Sequence, residues 1–593
     1  MTAADDAVGA ATAGEPGWGS DVVADLLRAT GVPYIALNPG ASFRGLHDSL
    51  VNHLGGDRPR MLMCLHEEHA VALAHGYAKV TGEPLAVALH SNVGLMHASM
   101  AIYNAWADRV PVLIVGATGP VDAAKRRPWI DWIHTAADQA ALVRPFVKWD
   151  DQPMSVEATA EALARAWDVT RTPPQAPTYV VLDAAVQEQR LAAPVALPAL
   201  TTGPVRDVPA AAADSVRRAV DTLVAAQRPV VLMGRVSRDV DDWHRRIRLV
   251  EALGARVVTD LKAGAAFPTR HPAHVPGPSF FLSAHGRDVL SEADVVLSLD
   301  WVDLAGTLAQ APAEQPRRVV SASLDHQLHN GWSKDHQGRV HADVTLPTAP
   351  DIAVAQLLDE LGDGRAPATG SRGPVETAES APGTQPPAVD DGVRLTDLAR
   401  ELRSAVADSP TCLVRLPLGW DGDDWDFDHP LDYLGYDGGG GIGSGPGMLV
   451  GAALAMKGTD RLPVGVLGDG DYLMGVQALW TAAHDAIPLL AVVSNNRSYF
   501  NDEVHQERVA RVRGRDESRR WVGQRIDDPA PDLAALARAQ GLEGIGPVTK
   551  AGDLPDALET AVALVRAGRP VVVDVVVEPG YSAAMSSGVV REG

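Results

Sequence analysis

Two polar side chains that could bind a cation follow two apolar runs in the C-terminal part of the chain. Residues 462–467 form a short apolar run that leads to Asp469, which stands between two glycines, and residues 487–493 form a second run that leads to Asn496. Carboxylate and carboxamide oxygens are ligands that Mg²⁺ prefers, and Mg²⁺ completes its shell with phosphate and water. The pattern therefore indicates a magnesium site that links the protein to a phosphorylated cofactor.

The elements around these residues must form a crossover for the site to exist. Residues 472–486, between the two runs, carry apolar side chains at helical spacing, so the segment predicts a strand, a helix and a second, parallel strand. Ligands of open α/β sheets bind beyond the carboxyl ends of the strands, and a helix N-terminus offers unpaired N–H groups to phosphate. The predicted cofactor-binding residues of this segment are Gly468, Gly470 and Asp471.

The Gly-Asp-Gly tripeptide is a weak signal by itself, and the chain contains it twice. The other copy, residues 362–364, follows a helix-like segment and leads into a stretch rich in Pro, Ala and Gly, so we do not interpret it as a site. The spacing from Asp469 to Asn496, with the doubled asparagine, resembles the cofactor motif of thiamine diphosphate-dependent enzymes. That resemblance implies thiamine diphosphate and Mg²⁺ as cofactors, with Ser498 completing the magnesium shell.

The N-terminal part of the chain carries a second part of the same resemblance. Residues 65–70, Leu-His-Glu-Glu-His-Ala, and Gly-Tyr-Ala at 76–78 are similar to the family's strand, glutamate and helix element. The resemblance implies that Glu67 is catalytic and hydrogen-bonds N1′ of the aminopyrimidine ring. Such a charge-assisted bond gains from shielding against water. The alternative is that Glu67 and Glu68 are acids of a first helical turn, stabilised by the helix dipole.

A glycine-rich run at residues 438–447 resembles the family loop that touches the cofactor. Glycines cost conformational entropy, which is understandable where the backbone must approach a ligand closely. The resemblance implies cofactor contacts from Gly441 and Gly443, with Ile442 supporting the bent shape of the cofactor. The family continues with Pro-Ala-Ala where this chain has Gly-Met-Leu at 447–449, so the packing of the next helix stays open.

Residues 89–94, Leu-His-Ser-Asn-Val-Gly, resemble the benzoylformate decarboxylases within this family. His90 matches an active-site histidine of those enzymes, which implies a catalytic role in proton transfer, because imidazole titrates near neutral pH. The alternative is a structural histidine at the end of a strand. Ser91, its neighbour, is a candidate for contact with the substrate.

The chain departs from the decarboxylase pattern at two places that bear on the substrate. Ala41 stands where those enzymes carry a substrate-binding serine, so Ser42 is the candidate to replace it. Residues 300–305 contain no histidine, although the decarboxylases carry a second one there. Tyr499 and Phe500, after the metal asparagine, either shape the substrate pocket or cap the following helix.

The resemblance implies an enzyme that decarboxylates a 2-oxo acid through an enamine intermediate. The alternatives are an acetolactate synthase-like carboligase and a catalytically degenerate scaffold of the same fold. The family places its active sites between chains, so we expect a homodimer or a homotetramer in which Glu67 and Asp469 of one site come from different chains. A Gly-Arg pair at 234–235 leaves FAD binding open, but we favour a central domain without a nucleotide.

Composition excludes several classes of protein. A chain of 593 residues exceeds what a single core organises. The 75 acidic residues outnumber the 52 basic ones and give a net charge of −23, which argues against nucleic-acid binding. Two cysteines, Cys64 and Cys412, provide no disulfide framework. Residues 1–17 contain no hydrophobic run, so we expect no membrane association and a cytoplasmic location.

Alternation of apolar runs and helical segments predicts the fold class and the domain order. We expect an α/β protein of three doubly wound parallel-sheet domains, which the resemblance identifies as pyrimidine, central and diphosphate domains. The predicted boundaries are 18–190 for the pyrimidine-binding domain, 210–362 for the central domain, 363–391 for a linker rich in Pro and Gly, and 392–580 for the diphosphate- and magnesium-binding domain.

Overall fold

Short apolar runs separated by helices produce three parallel sheets, which confirms the predicted fold class. Strand pairs within each sheet are all parallel, and several strands are buried along their whole length. Parallel strands require crossover connections, and the helices of these connections cover the sheet faces. The computed structural model describes residues 15–200, 208–313, 315–328, 340–362 and 391–581.

The N-terminal sheet has six strands in the order β2-β1-β3-β4-β6-β5. Its strands are β1 Tyr34–Leu37, β2 Arg60–Met63, β3 Ala86–Ala88, β4 Leu113–Thr118, β5 Trp149–Asp151 and β6 Thr178–Asp183. The helices of this part are α1 Gly19–Thr30, α2 Arg44–Asp48, α3 Glu67–Thr81, α4 Ser91–Ala107, α5 Ile130–Ile133, α6 Val156–Arg171 and α7 Ala184–Gln187.

The central sheet has five strands in the order β11-β10-β9-β7-β8. Its strands are β7 Pro229–Met233, β8 Arg256–Val258, β9 Val295–Leu299, β10 Arg318–Ala322 and β11 Val344–Leu346. Its helices are α8 Ala213–Val224, α9 Val240–Leu253, α10 Ala284–Glu292, α11 Leu304–Gln310 and α12 Pro350–Leu361.

The C-terminal sheet has five strands in the order β12-β13-β14-β16-β15. Its strands are β12 Thr411–Arg415, β13 Leu462–Gly468, β14 Leu490–Asn495, β15 Glu543–Val548 and β16 Val571–Val576. The helices of this part of the chain are α13 Leu395–Ala405, α14 Gly445–Met456, α15 Asp469–Gly475, α16 Ala478–His484, α17 Phe500–Val512, α18 Leu533–Ala539 and α19 Leu554–Arg566.

The chain divides into two compact units. The first contains residues up to 206 together with 437–455 and 477–481, and the second contains the remainder. The first unit therefore combines the N-terminal sheet with the glycine-rich run, whereas the second contains the central and C-terminal sheets. The three-domain boundaries stay a prediction, and nearly all of the predicted linker lies outside the described residues.

The crossover between the two metal-site strands differs from its prediction in detail. The expected single helix is two short ones, α15 and α16, and α15 begins already at Asp469. The first of them ends at Gly475, a residue type that lowers helix stability. The second strand begins two residues after Pro488, which has no N–H to give to a sheet. Among the described residues, no helix is long and apolar enough to cross a membrane.

Candidate functional site

The three predicted metal ligands lie together at one edge of the C-terminal sheet. Strands β13 and β14 pair in parallel, with Gly468 opposite Ser494, so the residues that follow both strands meet at the same edge. The backbone N–H of Ser498 donates to Asp469 Oδ2 at 3.1 Å and to Asn496 Oδ1 at 3.0 Å. A carboxylate and a carboxamide therefore share one donor, and both side chains are held at this edge.

Asp469 is a buried carboxylate whose protein partners only partly compensate its charge. It is 4% exposed, and burial raises its pKa to about 6, while hydrogen bonds from backbone N–H groups act in the opposite direction. One of these groups is the N–H of Gly470, which donates to Asp469 Oδ1 at 2.8 Å. Apart from its two neighbours in the chain, no described residue has an atom within 4 Å of where a side chain on Gly468 would begin. An oxygen donor set beside open space fits a hydrated Mg²⁺ ion.

The side chains next to this edge have defined partners. Tyr499 lies against Gly470, because a Cβ added to that glycine would be 2.7 Å from Tyr499 Cε1. Phe500, which begins α17, places its ring 5.1 Å from that of Tyr581. Asp471, in the first turn of α15, forms an ion pair with buried Arg415, with 3.4 Å between Oδ2 and Nε.

The hydroxyl of Ser498 is engaged away from the metal edge. It donates to Glu503 Oε1 at 2.6 Å, and Glu503 is buried between Arg520 and Arg525, at 3.4 and 3.5 Å. A role for Ser498 as a metal ligand would therefore use its carbonyl oxygen rather than its side chain.

In the first unit, Glu67 is a buried carboxylate at the start of α3. It is 6% exposed, and His97 Nδ1 lies 3.0 Å from Glu67 Oε2. Gly94 leaves room for the carboxylate, because a Cβ at that position would be 3.0 Å from Glu67 Oε1. His66 stacks on His97 with ring centroids 4.8 Å apart. The sequence analysis did not identify His97, although it lies on the helix that follows His90.

His90 stands immediately before α4 in a network with two serines. Its Nδ1 lies 2.8 Å from Ser42 Oγ, and the N–H of Ser91 donates to the same Oγ at 3.1 Å. Burial and the neighbouring His134 lower the pKa of His90, whereas the charge of Glu67 acts to raise it. His134 was not among the predicted site residues, and its ring centroid lies 4.8 Å from that of His90.

Ser91 is exceptional among the predicted substrate contacts. Its backbone φ is +41°, and its Oγ is buried without a hydrogen-bond partner in the described part of the chain. Positive φ is rare for residues other than glycine and concentrates at functional sites. The hydroxyl beside His90 therefore has hydrogen-bonding capacity that the described part of the chain does not use.

The glycine-rich run lies against α4 in the first unit. Asn104 Nδ2 donates to the carbonyl of Gly441 at 3.4 Å, and a Cβ on Gly441 would be 2.4 Å from Met100 Cε. Gly443 has a φ of +102°, which favours glycine. Ile442, between them, is partly buried.

The helix that follows this run packs closely on α3, and a Cβ on Gly447 would be 2.7 Å from Ala72 Cβ. Helix α14 packs so closely on α3 that a Cβ on Gly451 would be 1.9 Å from the carbonyl oxygen of Leu73. In the opposite direction, a Cβ on Gly76 would be 2.0 Å from the carbonyl oxygen of Met448. Small residues on both helices thus allow their backbones to touch.

The Gly-Arg pair of the central sheet has an intramolecular explanation. Arg235 forms ion pairs with Asp300 at 2.9 Å and with Asp325 at 3.2 Å. Gly234 allows the close approach, because a Cβ there would be 2.2 Å from the carbonyl oxygen of Asp300. These contacts give the pair a role within the fold, and a central domain without FAD stays a prediction.

Three family models match this chain in order. They describe the thiamine pyrophosphate enzyme N-terminal TPP binding domain at residues 17–142, the central domain at 216–336 and the C-terminal TPP binding domain at 420–575. Together they cover more than half of the chain, and the matched ranges include Glu67, His90, the glycine-rich run and the three candidate metal ligands.

Curated relatives extend over nearly the whole length. Benzoylformate decarboxylase of Pseudomonas aeruginosa is 24% identical over 93% of this chain and 97% of its own. Acetolactate synthase of Bacillus subtilis is also 24% identical, over 89% of this chain and 92% of its own. Among solved structures, 4-hydroxybenzoylformate decarboxylase of Rhodococcus jostii RHA1 has a TM-score of 0.74 at 22% identity and covers 95% of this chain and 100% of its own. That structural likeness supports the fold.

Proposed function

The chain belongs to the thiamine diphosphate-dependent enzymes, and we propose that it decarboxylates a 2-oxo acid with bound thiamine diphosphate and Mg²⁺. The observation that carries the proposal is the hydrogen-bonded pair of His90 and Ser42, in the unit that also holds the buried carboxylate of Glu67. An ordered imidazole suits a 2-oxo acid, whose carboxylate and keto oxygens accept hydrogen bonds. The benzoylformate decarboxylase relative agrees with this reaction class.

The metal edge of the C-terminal sheet fits the phosphate end of the cofactor. Asp469 and Asn496 would bind Mg²⁺ through side-chain oxygens, and Ser498 through its carbonyl. A bound divalent cation would compensate the buried charge of Asp469, which the protein alone does not. Gly468 provides open space for the diphosphate beside this edge.

Thiamine diphosphate supplies an electron-accepting ring, which makes the loss of CO₂ from a 2-oxo acid feasible. The protein's contribution is orientation and polarity. Glu67, shielded from water, would accept a hydrogen bond from the aminopyrimidine and hold a proton at that position. The unpartnered hydroxyl of Ser91 and the ring of His90 would orient the substrate.

We further propose a homodimer or homotetramer in which Glu67 of one chain and Asp469 of another serve the same cofactor. The family relationship supports this arrangement. Trp129 and Trp132 are 69% and 79% exposed, and aromatic residues of this kind are enriched at protein interfaces. An isolated chain would then lack activity.

A panel of 2-oxo acids tests the reaction class. Purified protein with thiamine diphosphate and Mg²⁺ receives pyruvate, branched-chain and aromatic 2-oxo acids, and the release of CO₂ and aldehyde is measured. Aldehyde from at least one of them is the expected result. Formation of acetolactate without aldehyde would favour the carboligase, and calorimetry that detects no cofactor binding would favour the degenerate scaffold.

A further inference from the structure

Hydrogen bonds around His90 determine which of its ring nitrogens carries the hydrogen. The backbone N–H of Ser42 donates to His90 Nδ1 at 3.4 Å, which requires a lone pair on that nitrogen. Ser42 Oγ lies 2.8 Å from the same nitrogen, so its hydroxyl hydrogen is directed to that lone pair. The same Oγ accepts from the N–H of Ser91 at 3.1 Å. The neutral ring of His90 therefore carries its hydrogen on Nε2.

His134 has the opposite tautomer. Its Nδ1 lies 2.8 Å from the carbonyl oxygen of Ile130, which can only accept, so Nδ1 carries the hydrogen. Its Nε2 then has a lone pair that no described residue engages. The carboxamide of Asn92, in the first turn of α4, donates to the carbonyl of Ile133 at 3.2 Å and keeps α5 close to His90. One ring thus offers a donor and the other an acceptor, with centroids 4.8 Å apart.

The two rings also differ in how they tolerate a second proton. A proton on His90 Nδ1 would face the N–H of Ser42 and force its hydroxyl hydrogen away. A proton on His134 Nε2 leaves the bond to Ile130 intact. Burial also lowers the pKa of His90, which agrees with a neutral ring.

We propose that His90 is a fixed neutral hydrogen-bond donor that orients an oxygen of the substrate, and that His134 is the proton carrier. This inference rests on the proposed function and reassigns the proton transfer that the family resemblance gives to His90. The reaction is R–CO–COO⁻ + H⁺ → R–CHO + CO₂. The carbon–carboxylate bond breaks, its electron pair stays with the former ketone carbon, and the proton from His134 Nε2 bonds to that carbon. Solvent then protonates His134 again.

Chemical labelling of the ligand-free protein tests the tautomers without any turnover. Diethylpyrocarbonate modifies an imidazole at an available lone pair, and mass spectrometry of peptides gives the rate at each histidine. We expect His134 to react at least about tenfold faster than His90, and Ser42→Ala to accelerate His90. Ser49→Ala removes another buried hydroxyl of the first unit and should leave both rates unchanged. Equal rates in the unchanged protein, or no effect of Ser42→Ala, would overturn the assignment.

Kinetics with the best substrate of the panel test the roles. His134→Gln should lower kcat about 100-fold and leave KM nearly unchanged, because a glutamine cannot carry the proton. His90→Gln keeps an N–H donor and should retain most of the turnover, whereas His90→Ala should raise KM. The reverse pattern would overturn the proposal. If no 2-oxo acid reacts, the proposed function fails while the labelling result still decides the tautomers.

Discussion

Replacing Asp469 with asparagine should make the metal-free protein less stable at low pH and more stable at neutral pH than the unchanged protein. Burial raises the pKa of Asp469 from its ordinary 3.8 to about 6. The folded protein therefore holds a proton that the unfolded chain loses, so the ionisation of Asp469 destabilises the metal-free fold as the pH rises from about 4 to about 6. The difference between these pKa values corresponds to about 3 kcal/mol, because one pKa unit corresponds to about 1.4 kcal/mol.

Asp469→Asn removes this charge but also one hydrogen bond. An asparagine oxygen can accept from the N–H of Gly470 or from that of Ser498, but not from both through separate oxygens. The lost hydrogen bond costs about 1–2 kcal/mol at every pH, and the N–H of Ser498 keeps Asn496 Oδ1 as its other acceptor. The variant should therefore be about 1–2 kcal/mol less stable than the unchanged protein at pH 4 and about 1–2 kcal/mol more stable at pH 7.5.

Urea unfolding at several pH values, with EDTA present, measures this difference. Asp460→Asn makes the same chemical change at an exposed position and is the matched control. The reasoning would be refuted if the free energy of unfolding of Asp469→Asn, minus that of the unchanged protein, stayed constant from pH 4 to 7.5 or fell with rising pH. Addition of Mg²⁺ and thiamine diphosphate at 100 times Kd should stabilise the unchanged protein by about 2.7 kcal/mol at pH 7.5 and the variant by much less.

Three further predictions concern catalysis, packing and the metal. Glu67→Gln should lower turnover at least about 100-fold while calorimetry still detects the cofactor, and Glu68→Gln should stay within about twofold of the unchanged enzyme. Gly451→Ala should lower the free energy of unfolding by about 1–3 kcal/mol, because its methyl group would clash with the carbonyl of Leu73. Gly552→Ala is the control: its methyl group would enter open space, so the free energy of unfolding should change by less than about 0.5 kcal/mol. Removal of Mg²⁺ with EDTA should abolish the rise in melting temperature that thiamine diphosphate causes, and an unchanged rise would contradict a metal-bridged diphosphate.

The fold and the metal edge could be predicted because they depend on local patterns. Apolar runs that precede Asp469 and Asn496 indicate parallel strands, and parallel strands bring their carboxyl ends to one edge of the sheet. The strand register and the shared N–H of Ser498 agree with that prediction. The prediction of a single helix after Asp469 was wrong, because helix ends depend on individual residues such as Gly475.

The neighbours of the catalytic candidates could not be predicted in the same way. His134 comes close to His90 only through the path of the chain between β4 and α5, which no local periodicity reports. The packing at Gly451 could not be predicted either, because a glycine in the sequence does not indicate which residue packs against it. Ser42 could be proposed as a replacement for the missing serine, but its hydrogen bond to His90 required the structure.

Co-expression of two inactive variants tests the central claim, that residues of two chains jointly bind one cofactor. Glu67→Gln and Asp469→Asn chains, each with its own tag, are produced separately and together, and the decarboxylation rate is measured with the best substrate of the panel. Random pairing makes half of the dimers mixed, and each mixed dimer has one intact site, so the account predicts about a quarter of the unmodified activity. A mixture no more active than the separate variants would contradict it.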